Sequence, residues 1–133
     1  MTVEALLKAP FMRNVEVLAG EAGLARDVSN MVPDMELDPD QWIMSGALVL
    51  CTGEREESLR TFLDRILQTV PAGILVLGEK NKSRIRDAEL AWFEENKLPL
   101  LYSDRSGSQY ALMRSYVTFA SGAQSRINLR AEM

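Results

Sequence analysis

The sequence predicts an α/β protein, a parallel βαβ sheet with helices on both faces and a small N-terminal α+β appendage. Three observations carry this reading. Ala47-Leu48-Val49-Leu50-Cys51, Ile74-Leu75-Val76-Leu77 and Leu98-Pro99-Leu100-Leu101-Tyr102 are short, nearly unbroken apolar runs, the pattern of strands buried on both faces. Between the first two, Leu59, Phe62, Leu63, Ile66, Leu67 and Val70 fall on one face of a 3.6-residue period. From residue 47 onward the order is strand, helix, strand, helix, strand, helix, which right-handed crossovers convert into a three-layer parallel sheet. A chain of 133 residues is the size of one such domain.

The elements follow in order. Thr2 is a good N-cap and Glu4 suits the first turn, so a short helix is expected from Val3 to about Lys8. It must end before Pro10, which biases Ala9 towards an extended conformation. Val15-Glu16-Val17-Leu18-Ala19 reads as a half-buried strand ending at Gly20. Gly20 and Gly23 bracket a turn, and Val28 to Val32 forms a second extended piece. Pro33 to Asp40 carries two prolines and four acids and reads as a loop. A brief helix around Gln41–Met44 stops at Gly46.

After the first apolar strand, a helix of about 56–70 has Glu54, Glu56 and Glu57 at its N-terminus and Pro71 beyond its end. A second helix runs from near Ser83, its expected N-cap, to Asn96, burying Ile85, Ala88, Leu90, Trp92 and Phe93. The third apolar run carries Pro99 near its start, where the ladder tolerates it. A last helix spans about Ser108 to Ala120, with Leu112, Met113, Tyr116, Val117 and Ala120 on one face. Residues 2–120 form the domain. Residues 121–133 read as a tail or as a connector to C-terminal domains.

Composition excludes much chemistry. With no histidine and one cysteine, the chain lacks Ser-His-Asp and Cys-His nucleophile systems, His-containing metal sites and disulfide frameworks. No catalytic residue, cofactor or metal is expected, and the protein reads as a non-enzyme. Asp34, Glu36, Asp38 and Asp40 alternate like hard-metal ligands, but an EF-hand starting at Asp34 needs glycine where Pro39 stands and glutamate where Ser45 stands. Cys51, inside an apolar strand, reads as a buried, inert thiol. Trp42, beside Pro39, reads as core cover. No glycine-rich nucleotide motif is present. No apolar run reaches the ~18 residues of a membrane span, the N-terminus has no targeting pattern, and the protein reads as cytoplasmic.

In open α/β sheets ligands bind beyond the carboxyl ends of the strands. Thr52, Gly53, Gly78, Lys80 and Ser103 would meet there. The glycines allow close backbone approach, Thr52 and Ser103 can donate or accept, and Lys80 brings a positive charge directly after a strand. Glu54 could pair with Lys80, so a neutral or singly charged heterocycle fits this edge better than a phosphate. Lys82, Arg84 and Arg86 extend the basic stretch, which also reads as a solvated face.

Thr2-Val3-Glu4-Ala5-Leu6-Leu7, Val17-Leu18-Ala19-Gly20-Glu21-Ala22-Gly23-Leu24 and the segment Asp38-Pro39-Asp40-Gln41-Trp42-Ile43-Met44-Ser45-Gly46-Ala47-Leu48-Val49-Leu50-Cys51-Thr52-Gly53 resemble the PucR-type N-terminal domain, the purine catabolism regulator-like domain. Gly73-Ile74-Leu75-Val76-Leu77-Gly78 and Leu98-Pro99-Leu100-Leu101 fit its second half, and the resemblance covers roughly residues 2–118. The chain departs from the family's Gly-Gly-Glu at Ser45-Gly46-Ala47 and from its Thr-Thr-Gly at Cys51-Thr52-Gly53. The resemblance implies a ligand-sensing N-terminal domain of a bacterial transcription regulator, acting as a homodimer on a small-molecule effector. DNA would be read only by a C-terminal helix-turn-helix not present in this chain. The alternative is a dimerisation or interaction module with no ligand of its own.

Net charge is −4, and domains that live on phosphate contacts carry a basic surplus. The isolated domain should therefore show no mobility shift on duplex DNA at physiological salt. A salt-dependent complex of micromolar affinity would contradict this.

Overall fold

The computed structural model describes residues 1–33, 46–51, 71–104 and 111–121. The expected helix at 56–70, the acidic loop with Asp34, Glu36, Asp38 and Asp40, the brief helix at 41–44 with Trp42, and the tail lie outside the described residues.

Among the described residues, five strands form one mixed sheet. They are β1 (Val15–Ala19), β2 (Asn30–Pro33), β3 (Ala47–Cys51), β4 (Gly73–Leu77) and β5 (Leu100–Ser103), in the spatial order β1-β5-β4-β3-β2. The three apolar runs are adjacent and parallel, with Leu50 opposite Leu75 and Leu75 opposite Leu101. Every residue of β3, β4 and β5 is buried, as continuous apolar runs require.

Alternation along these strands divides the core in two. Leu48, Leu50, Leu75, Leu77 and Leu101 face α1 (Val3–Leu7) and a helix at 111–121, here α4, where Val3, Leu6, Leu112 and Tyr116 meet them. Val49, Cys51, Ile74, Val76 and Leu100 face α3 (Asp87–Glu95) and its Trp92 and Phe93. Helices thus cover both faces.

The expected all-parallel sheet with an N-terminal appendage needs correcting. β1 runs antiparallel to β5, Val15 opposite Ser103 and Val17 opposite Leu101, and β2 runs parallel to β3. The N-terminal strands are the two edges of the same sheet. Alternation marks β1 as half-buried but says nothing about its partner, which lies far along the chain. β2 also takes in Pro33, opposite Leu50. An edge strand can carry a proline because one of its sides needs no ladder bond.

The expected helix from near Ser83 to Asn96 is shorter, α3 (Asp87–Glu95), and a separate single turn, α2 (Glu79–Lys82), precedes it. Ser83 ends α2 and does not open a helix. Arg86, at φ −98° and ψ 161°, breaks the path, and the Glu89 carboxylate turns back to accept the Arg86 N–H at 2.7 Å. Ala88 is exposed. In α4 the inward stripe is Leu112, Met113, Tyr116, Phe119 and Ala120. Val117 falls outside it, 59% exposed, because Phe119 takes the apolar contact, its ring 5.9 Å edge-on to Phe11.

One turn ties these layers together. Gly20 (φ +76°) and Gly23 press on residues 97–99 so closely that a Cβ on either would overlap the backbone of Leu98 or Lys97. The Gly20 N–H donates to the Glu94 carboxylate at 2.7 Å. Arg26 donates Nε to the Lys97 carbonyl at 2.9 Å and Nη2 to that of Asn96 at 3.1 Å. Its own carbonyl accepts the Val3 N–H at 2.9 Å, and Leu24 accepts that of Glu4 at 3.0 Å. The start of α1, which Thr2 Oγ1 caps through the Ala5 N–H at 3.1 Å as expected, and the end of α3 share this one turn.

α3 ends in a Schellman motif. Leu98 N–H reaches the Phe93 carbonyl at 3.0 Å and Lys97 N–H that of Glu94 at 3.2 Å, with Lys97 at φ +51°. Glycine ordinarily takes that left-handed position. Lys97→Gly should therefore stabilise the domain by about 1 kcal/mol, whereas Gly23→Ala should destabilise it by about 3 kcal/mol through a backbone collision. Urea unfolding of both variants checks the pair. Equal midpoints would refute the role assigned to this turn.

Candidate functional site

The carboxyl ends of β2, β3, β4 and β5 lie along one edge of the sheet, because these four strands are mutually parallel. Two of the residues expected there come together. Ser103 pairs with Leu77, and the Gly78 N–H donates to the Ser103 carbonyl at 2.9 Å, so the ladder continues one residue past β4. Gly78 then turns at φ +90° and ψ 144°, backbone that favours glycine. Among the described residues, a Cβ built there would meet no heavy atom nearer than Asn81 Nδ2, at 3.9 Å.

Ser103 is 2% exposed, so it forms the floor of this edge and presents no open hydroxyl. Lys80 belongs to α2 by its backbone. Thr52, Gly53 and Glu54, which the sequence also points to, lie outside the described residues. Cys51 is buried on the α3 side of β3, which agrees with its reading as a packed thiol. Among the described residues no group of three or more histidine, cysteine, aspartate or glutamate side chains is placed to hold a metal ion. No helix there is long and apolar enough to cross a membrane.

α2 is organised from β4 outward. The Asn81 side-chain amide donates to the Leu77 carbonyl. The Gly78 carbonyl accepts from Asn81 N–H at 3.1 Å and Lys82 N–H at 3.2 Å. Lys82 is thereby aimed across β5 to β1. Its Nζ lies 3.1 Å from Glu16 Oε1 and 4.6 Å from the centre of the Tyr102 ring. Glu16 and Tyr102 are direct cross-strand partners, so one lysine bridges three elements at the corner of the carboxyl edge. Sequence reasoning placed Lys82 in a solvated basic face and singled out neither Glu16 nor Tyr102. Their meeting depends on the β1–β5 register, which has no local signal.

The Tyr102 hydroxyl is held above its ordinary pKa, first by removal from water and then by the Glu79 carboxylate, with Asp104 and Glu16 adding to the effect and Lys82 opposing it. Burial alone raises Tyr116. A phenol that resists ionisation in the folded state ionises first in the unfolded chain. Its contribution to stability is therefore complete below the ordinary value of 10.0 and is lost as pH rises from there through the raised folded values. Stability measured by urea unfolding should fall above that pH, and fall less steeply in Tyr102→Phe and Tyr116→Phe. Parallel pH profiles for all three proteins would contradict the shifts.

No protein-family model matches the chain, and no curated protein matches it.

Proposed function

We propose that this chain is a small-molecule-sensing regulatory domain of a bacterial transcription regulator, of the PucR type that its sequence resembles, acting in purine or related catabolism. The observation that supports this reading best is the alignment of four parallel strand ends along one edge, with glycine backbone and a small buried serine, Gly78 and Ser103, where a ligand would lie. Carboxyl edges of open α/β sheets are where this architecture binds small molecules. Thr52, Gly53 and Lys80 complete the proposed crevice. The domain acts by binding, as a homodimer in the cytoplasm, and is not an enzyme. DNA contact belongs to a C-terminal helix-turn-helix outside this chain.

A neutral or singly charged heterocycle suits the crevice, since backbone amide and carbonyl edges recognise such a ring without a bound anion. A dimerisation module without a ligand is the second reading. Val117 favours it, an exposed aliphatic side chain on α4 of the kind that a partner helix covers.

The test is thermal unfolding of the domain with adenine, guanine, hypoxanthine, xanthine and uracil. A ligand of the native state raises the melting temperature in proportion to its occupancy. At least one base should stabilise the domain, and Thr52→Val and Lys80→Ala should each weaken that base's binding while folding normally. If both variants bind as tightly as the parent, the ligand sits elsewhere. If no base shifts the transition and Val117→Glu converts a dimer to a monomer, the second reading stands in its place.

A further inference from the structure

α2 is one turn long, too short to hold itself in water. The backbone N–H groups of Ser83, Arg84 and Ile85 bond within the segment, to the carbonyls of Glu79 at 3.0 Å, Asn81 at 3.2 Å and Lys82 at 3.1 Å. The Asn81 side-chain amide on the Leu77 carbonyl and Ile85 against the α3-side core hold its two ends to the sheet. Lys82 ties this turn to the far edge of the sheet. It reaches Glu16, 66 residues away, by passing over the face of Tyr102. The contact combines an ion pair with a cation–π contact. The lysine side chain is 47% exposed and the glutamate 56%, so water and ions compete for both charges.

The geometry points to Lys82 as a latch: by holding Glu16 across the face of Tyr102 it keeps the turn from Gly78 to Ile85 closed on the sheet, and its release frees that turn at the carboxyl edge. Gly78 opens this turn, so a ligand at the proposed crevice meets a wall whose position the latch sets. That consequence rests on the reading of the edge as a ligand crevice. The latch itself does not. Lys82 is a positioning residue, acting through the backbone it carries.

Amide hydrogen exchange of the free domain tests the latch without a ligand. In Lys82→Met and in Glu16→Gln, the amides of residues 81–85 should exchange about five- to tenfold faster than in the parent, the amount that an exposed ion pair with a cation–π contact supports. The Ala72 and Ile74 amides, bonded to Ala47 and Pro99 at the centre of the sheet, should be unchanged. Lys82→Arg should restore the parent rates, because a guanidinium both pairs with the carboxylate and stacks on the ring. The double variant should exchange no faster than the more affected single one. Parent-like rates for residues 81–85 in both single variants would overturn the latch. So would failure of the arginine variant to restore them. Accelerated exchange together with no stabilisation by any of the five bases would overturn the crevice reading and leave the latch standing.

Discussion

Arg26 and the two glycines before it are the constraint on which the rest of this structure depends. A helix end leaves carbonyls without partners, and a helix start leaves N–H groups without partners. Here one turn meets the second need and braces the segment that meets the first. The Arg26 guanidinium binds the Asn96 and Lys97 carbonyls just past the end of α3, while the carbonyls of Leu24 and Arg26 receive the first N–H groups of α1. The two helices lie on opposite faces of the sheet, so the turn acts as a staple around the edge of three layers. Gly20 and Gly23 make it possible, since only backbone without a side chain approaches Leu98 and Lys97 so closely. The Schellman motif at Lys97 presents those carbonyls at the required angle, and Leu98 beyond it packs in the same cluster as Phe93.

The topology that results has two edges, and both discourage further pairing. β1 carries the charged, exposed Glu16 and a register shift between Val17 and Ala19. β2 ends in Pro33, and its Asn30 side chain accepts the Met31 N–H at 2.8 Å. Charge, irregularity and proline are the ordinary means by which edge strands avoid a neighbour. This directs attention away from the lateral edges and towards the carboxyl edge, where parallel pairing brings Gly78 against Ser103. Glu16 also serves Lys82, so the charge that blunts the β1 edge fastens the turn after β4.

The candidate site was legible in part. Gly78 and Ser103 could be named from sequence because each follows or ends an apolar run, and parallel pairing of consecutive runs puts such residues side by side. That Ser103 is a buried floor could not be read, since burial there depends on what packs over the strand end. Lys82 looked like one of several alternating basic residues. Nothing in Lys80-Asn81-Lys82 distinguishes the lysine that bridges to β1, because its partners are contributed by strands before and after it in the chain.

The sequence by itself determined that these segments are strands and the bounds of two of them. Those expected at 28–32 and 98–102 are shifted to Asn30–Pro33 and Leu100–Ser103, which leaves Pro99 just before β5. Val15–Ala19 and Ala47–Cys51 match their sequence readings residue for residue, and Thr2 caps α1 as its hydroxyl and position require. These features depend on neighbours within a few residues, so their signal is local. Only the tertiary structure decided that β1 pairs antiparallel with β5, that the N-terminal strands stand at the two ends of the described strand order, that Arg26 binds the carbonyl of Asn96, 70 residues away, and that Lys82 meets Glu16 across 66. Such contacts join segments whose own patterning is satisfied by many partners, and the choice among them is made by the packing of the whole domain.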